Sequence, residues 1–120
     1  MSNDPKALAR QLYTAQNKKN PADFIAILQH AAQNLDETTF TEFMKTRNEM
    51  PPWTALMQAA ISGDTVQIIA IIEALKKVYR NNPEAALNYL NQRNYAGYTA
   101  LMFATDQGSF AGIKALYDGA

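Results

Sequence analysis

Thr54–Leu75 reads TALMQAAISGDTVQIIAIIEAL, and Thr99–Tyr117, 45 residues further on, reads TALMFATDQGSFAGIKALY. Both stretches obey the same physical grammar. A Thr offers its hydroxyl to the free N–H groups of a helix's first turn. A short run of small apolar residues follows: Ala55, Leu56, Ala59 and Ala60 in one copy, Ala100, Leu101 and Ala104 in the other. Gly63 or Gly108 ends that helix, Asp64 or Ser109 caps the next, and an apolar helix closes the unit. Two such helices approach closely through their alanines, but neither can bury its apolar side alone. Stacking copies of the unit solves that problem.

T-A-L-M-x-A-[AT]-x-x-G resembles the core of the ankyrin repeat, T-P-L-H-x-A-A-x-x-G. Asn94-Tyr95-Ala96-Gly97-Tyr98 resembles the D-x-x-G-x lead-in of that repeat. The departures agree between copies: Ala55 and Ala100 stand in the Pro position, Met57 and Met102 in the His position. Pro52 occupies the lead-in Gly position of the first copy and forbids the positive φ a Gly would allow, so that turn differs in shape. The resemblance is strong over residues 47–120 and weak before them.

The remainder of the chain extends the repeat. Asp4-Pro5 and Asn20-Pro21 are helix starts, with Leu8, Leu12 and Ala15 at helical spacing between them. Asp23–Ala31, DFIAILQHA, aligns with Gln67–Leu75, QIIAIIEAL, which makes the N-terminal helix pair a degenerate first unit. Asp36–Arg47, DETTFTEFMKTR, has a counterpart in Asn82–Arg93, NPEAALNYLNQR. Each adds a short capped helix that an ordinary unit of about 33 residues lacks. Leu35 and Phe40 stand where a hydrophobic staple would pin the first of them.

The expected fold is therefore all-α, an ankyrin-like helical repeat solenoid of three helix-pair units, approximately 1–46, 47–92 and 93–120, in one domain. The expected pairs are 5–16/21–34, 54–62/65–79 and 99–107/110–118, with short helices at 37–46 and 83–91. Leu56, Ala59, Ala60, Leu101 and Ala104 are expected at inter-helix contacts, and Ile68, Ile69, Ile71, Ile72 and Leu75 as core on nearly all sides. If Thr105 is buried, its hydroxyl should bond a carbonyl of its own helix.

Composition excludes several functions. Eleven basic and eleven acidic side chains cancel, so no global field attracts nucleic acid or an acidic membrane. No cysteine is present, which rules out disulfide scaffolds and thiolate metal sites. The longest apolar run is too short for a membrane span. His30 is the single histidine and reads as a helix-face residue, with no second ligand to share a metal. Asp36, Glu37 and Glu42 read as a solvated helix start favoured by the helix dipole. The glycines form no phosphate loop. No enzyme activity, cofactor or metal is expected.

What the repeat does not need is more informative. The resemblance implies that the lead-in tip and the two positions before the breaking Gly face the concave side, where partners dock. These are Met50, Pro51, Trp53, Ile61 and Ser62 in one unit and Tyr95, Ala96, Tyr98, Asp106 and Gln107 in the next. Trp53, Ile61, Tyr95 and Tyr98 would form a contiguous aromatic and apolar patch, the composition of binding hot spots. Trp53, Met50, Tyr95 and Tyr98 have a second reading, in which they fold back onto the inserted helices. The function expected is a protein-interaction module with a partner protein; the alternative is a self-associating structural unit or a regulatory fragment of a larger protein, a bacterial effector among the options. A cytoplasmic location, or delivery into a host cell, goes with it. Lys114 for Ile69 and Asp106-Gln107 for Ile61-Ser62 make the last unit more polar, yet Phe110 and Leu116 remain without a following helix to cover them. The expectation is that this end either forms a weak homodimer or continues into further sequence.

Overall fold

The computed structural model describes residues 2–18, 20–45, 54–94, 96–108 and 110–119, apart from the side chains of 110 and 116–119. These residues form eight α-helices and no strand: α1 (Pro5–Asn17), α2 (Pro21–Asn34), α3 (Glu37–Lys45), α4 (Ala55–Ser62), α5 (Thr65–Val78), α6 (Pro83–Leu90), α7 (Ala100–Asp106) and α8 (Phe110–Gly119). Every helix expected from the sequence is present, with ends displaced by at most one residue.

Local chemistry explains the boundaries. Asn20, Asp36, Thr54, Asp64, Asn82 and Thr99 each accept a hydrogen bond from a backbone N–H three residues on, at 2.7–3.3 Å. Asp4 caps α1 from Lys6 N–H at 3.3 Å. Each bond satisfies an amide that the helix itself leaves without a partner. The Asp36 carboxyl is held below its ordinary acidity range by the hydrogen bonds from Thr39. At the other end of α4, Gly63 turns left-handed at φ 67°, and the N–H groups of Gly63 and Asp64 donate to Ala60 and Ala59 carbonyls at 3.1 and 3.0 Å. That closure lets α5 fold back at once, and Gly108 repeats it at φ 65°. The expected cap Ser109 lies outside the described residues.

The helices pair as α1 with α2, α4 with α5 and α7 with α8. The pairs stack, so α2, α5 and α8 form one row and α4 packs on α7 in another. The inserted α3 packs on α1 and α2, and α6 on the end of α5. Leu35 and Phe40 are both buried, consistent with the staple; Phe40 also meets the Phe43 ring at 5.7 Å and the Tyr79 ring at 5.8 Å. Glu37 accepts from the Asn82 amide at 2.6 Å, and Thr41 shares a hydrogen bond with the Tyr79 hydroxyl. These contacts tie α3 to the α5–α6 corner. Across the first two pairs, buried Gln16 donates through Nε2 to the Ala55 carbonyl at 2.9 Å and to Gln67 Oε1 at 3.0 Å. Nothing in the repeat pattern pointed to that link.

Two core expectations are corrected. Ile68, Ile71, Ile72 and Leu75 are buried, but Ile69 is 43% exposed. It shares its side of α5 with exposed Val66, Glu73 and Lys76, so the helix is amphipathic and not enclosed all round. Leu56, Ala59, Ala60 and Ala104 are fully buried, whereas Leu101 is 41% exposed. Helix α4, which carries Leu56, packs on α5 and α7, whereas α7 packs on α4 and α8. Thr105 is exposed, and its hydroxyl still donates to the Leu101 carbonyl at 2.9 Å.

Candidate functional site

The loop into α7 is built around one side chain. Asn94 Oδ1 accepts from the N–H groups of Ala96 and Tyr98 at 2.9 and 3.0 Å, and Asn94 N–H donates to the Tyr98 carbonyl at 2.9 Å. Gly97 N–H donates to the Asn94 carbonyl at 2.9 Å, with Gly97 at φ 82°. A residue with a Cβ is disfavoured at that angle; Pro52, at the matching place of the preceding copy, lies outside the described residues. The Arg93 guanidinium closes the loop by donating to the Gly97 carbonyl at 2.9 Å. An Asn accepting two backbone amides is an Asx-type turn, and it fixes the chain direction at Tyr98.

Tyr98 is therefore presented by a wired loop. The residue is 39% exposed and its ring packs on Phe103, with ring centroids 5.3 Å apart and planes tilted by 36°. Phe103 begins a set at spacing i, i+3 and i+4 with Asp106 and Gln107, so the three share one side of α7. Phe103 is half-buried; Asp106 and Gln107 are exposed. Gln58, Ile61 and Ser62 hold the equivalent positions on α4, the first two half-buried and Ser62 exposed. Gln58 donates to the Ser62 hydroxyl at 3.2 Å. Since α4 packs on α7 as its repeat equivalent, both sets lie on one side of that row.

Of the residues singled out by sequence, Ile61, Tyr98, Asp106 and Gln107 are thus placed on or beside this row. Met50, Pro51, Trp53 and Tyr95 lie outside the described residues. The described part of the face is mixed: one aromatic pair, one half-buried isoleucine, and polar Ser62, Asp106 and Gln107. Phe103 was missed in reading the sequence as a site residue. The signal was available, because Phe103 and Gln58 differ at the one variable position inside T-A-L-M-x-A.

The single histidine sits in a hydrogen-bond network with the N-terminal residues. His30 Nε2 donates to the Ser2 carbonyl at 3.2 Å and to Asn3 Oδ1 at 2.9 Å, while Nδ1 accepts from the Asn34 amide at 3.2 Å. That arrangement pins the N-terminal residues to α2. Among the described residues no group of three His, Cys, Asp or Glu side chains could hold a metal ion. No described helix is long and apolar enough to cross a membrane.

A family model of ankyrin repeats in three copies matches residues 13–120. No curated protein and no solved structure matches the chain significantly. Ankyrin repeats are in general protein–protein interaction modules and are typically not catalytic. With the paired helices, the left-handed glycine break and the matched family model in agreement, the chain belongs to the ankyrin-repeat family.

Proposed function

We propose that this chain binds a partner protein along the row formed by Ile61, Tyr98, Phe103, Asp106 and Gln107. Met50, Trp53 and Tyr95, at the matching lead-in positions, belong to the same proposal, as does the division into units at 1–46, 47–92 and 93–120. The observation that carries it is Tyr98: a large aromatic residue, 39% exposed, held by a hydrogen-bonded loop and with its ring propped on Phe103. Holding an exposed aromatic in place lowers the entropy lost when a partner covers it, and Tyr is among the residues that dominate binding energy. The flanking Asp106 and Gln107 supply polar contacts that set orientation more than affinity.

The test compares partners captured from the native cell by the wild-type chain and by Trp53→Ala with Tyr98→Ala, alongside Ile69→Lys on the opposite side of the pair. A partner lost with the aromatic variant and kept by Ile69→Lys, both variants folded by circular dichroism, supports the proposal. Retention of every partner by the folded aromatic variant refutes it. Unfolding of that variant would show the rings to be core.

A further inference from the structure

Helices α5 and α8 pack side by side as equivalent members of successive units. Between them runs a groove of about 380 Å³, within the stack, with a described helix on each bank. The α8 bank is low because its lining residues there include Ala111 and Ala115. On the α5 bank, exposed Ile69 forms the wall and buried Ile72 the floor. Val66, 53% exposed and three residues before Ile69, continues the apolar side by one turn. Three charged side chains rim the groove: Lys114 on α8, and Glu73 and Lys76 on α5, all exposed. Glu73 also borders the neighbouring groove between α2 and α5, together with Lys77 four residues on. The repeat offset sets Lys114 level with Ile69, and Lys76 lies two helical turns further along α5, about 10 Å at the rise of an α-helix. Along its length the groove therefore presents a cation, an apolar floor and a second cation, with Glu73 beside the floor.

We infer that this groove holds an amphipathic helix of a partner protein, one with two carboxylates two turns apart and apolar residues between them. Acidic residues at i and i+7 and leucines at i+3 and i+4 all lie on one side of such a helix. Its carboxylates meet Lys114 and Lys76 while its leucines cover Ile69, Ile72 and Ala115. The apolar contact carries the affinity, and the separated charges set register and speed the encounter. Glu73 repels a carboxylate placed midway, which rejects helices with the acidic and apolar positions exchanged. A fatty acid brings one anionic end to two separated cations. A phosphate backbone places charge next to Glu73 and leaves the apolar floor without a complement. The groove belongs to a different row of helices from Tyr98 and Phe103, so its occupant and the partner proposed above are separate.

The probe is a synthetic helical peptide with Glu at i and i+7 and Leu at i+3 and i+4, followed by fluorescence anisotropy against the whole chain. A control peptide exchanges the Glu and Leu positions, which keeps composition and charge. The first peptide should bind roughly tenfold more tightly than the control, and its affinity should fall as salt is raised. Lys76→Glu with Lys114→Glu should weaken it by roughly tenfold or more, whereas Lys6→Glu with Lys18→Glu, the same charge change on α1, should not. Ile69→Ser should weaken it by a similar factor, with the helical circular dichroism kept. Equal binding of the two peptides, no binding at about 1 mM, or indifference to the groove variants would each overturn the inference. Oleate or phosphatidylserine vesicles that bind through Lys76 and Lys114 where the peptide does not would overturn it in favour of a lipid. A dimer of the free chain that Ile69→Ser dissolves would overturn it in favour of a second copy.

Discussion

Truncating one leucine in each copy of T-A-L-M separates the contribution of stacking from that of the motif. Leu56 and Leu101 are both the second residue of their helix, two positions after a capping Thr. Their exposures are 0% and 41%. Leu→Ala removes three carbons, about 2.4 kcal/mol of transfer free energy at roughly 0.8 kcal/mol per buried carbon. Leu56 is fully buried and its surroundings cannot collapse completely, so the cavity raises the cost to about 3–4 kcal/mol. At Leu101 only some three-fifths of that area is out of water, and solvent fills the space, leaving about 1–1.5 kcal/mol. The two variants should differ by about 2 kcal/mol, a large part of the roughly 6–18 kcal/mol expected for a chain of this length. Urea titration followed by helical circular dichroism measures both. In thermal melts the difference corresponds to about 6–12 °C. Equal costs, or a larger cost at Leu101, would refute the reasoning that Leu56 is buried while its equivalent in α7 stays open.

Ala60 is fully buried where α4 meets its neighbours, so Ala60→Leu should overpack that contact and cost roughly 1–3 kcal/mol; an unchanged melting temperature would show the site to be roomier than it is here. The Gln16–Gln67 bond predicts non-additivity: Gln16→Ala strands a buried amide oxygen at a cost of about 1–3 kcal/mol, and the double variant with Gln67→Ala should cost less than the two singles summed. Strict additivity in that cycle would mean the two amides do not interact. Asp36 has a depressed pKa in the fold, so its contribution is present above the ordinary aspartate value of 3.8 and fades as pH falls through the lower folded value. The melting-temperature gap between wild type and Asp36→Asn should accordingly shrink below about pH 4, and a gap that stays constant there would remove Thr39's hydrogen bonds as its cause.

Helix positions were legible in the amino-acid order because caps and breaks are local. Thr54, Asp64, Asn82 and Gly63 act on backbone groups within a few residues, whatever surrounds them. The doubled T-A-L-M motif likewise announced a stacked fold, since a short helix with an alanine face has no other way to bury it. Burial was legible where the apolar pattern falls on a packed side of its helix, as at Ile68, Ile71, Ala59 and Ala104. It was not legible at Leu101 and Met102, whose letters equal those of Leu56 and Met57 but whose outer neighbour is absent among the described residues. Ile69 followed the same logic, looking like core in an apolar run and lying on the outward side of α5. The Gln16–Gln67 pair joins residues 51 apart, and neither amide announces its partner by type or spacing. Phe103 drew its meaning from Tyr98, a contact made by the Asn94 loop and not by helical period. Capping and turn chemistry are properties of adjacent residues and travel with the sequence; exposure is a property of what stacks on a helix, and only the assembled fold decides that.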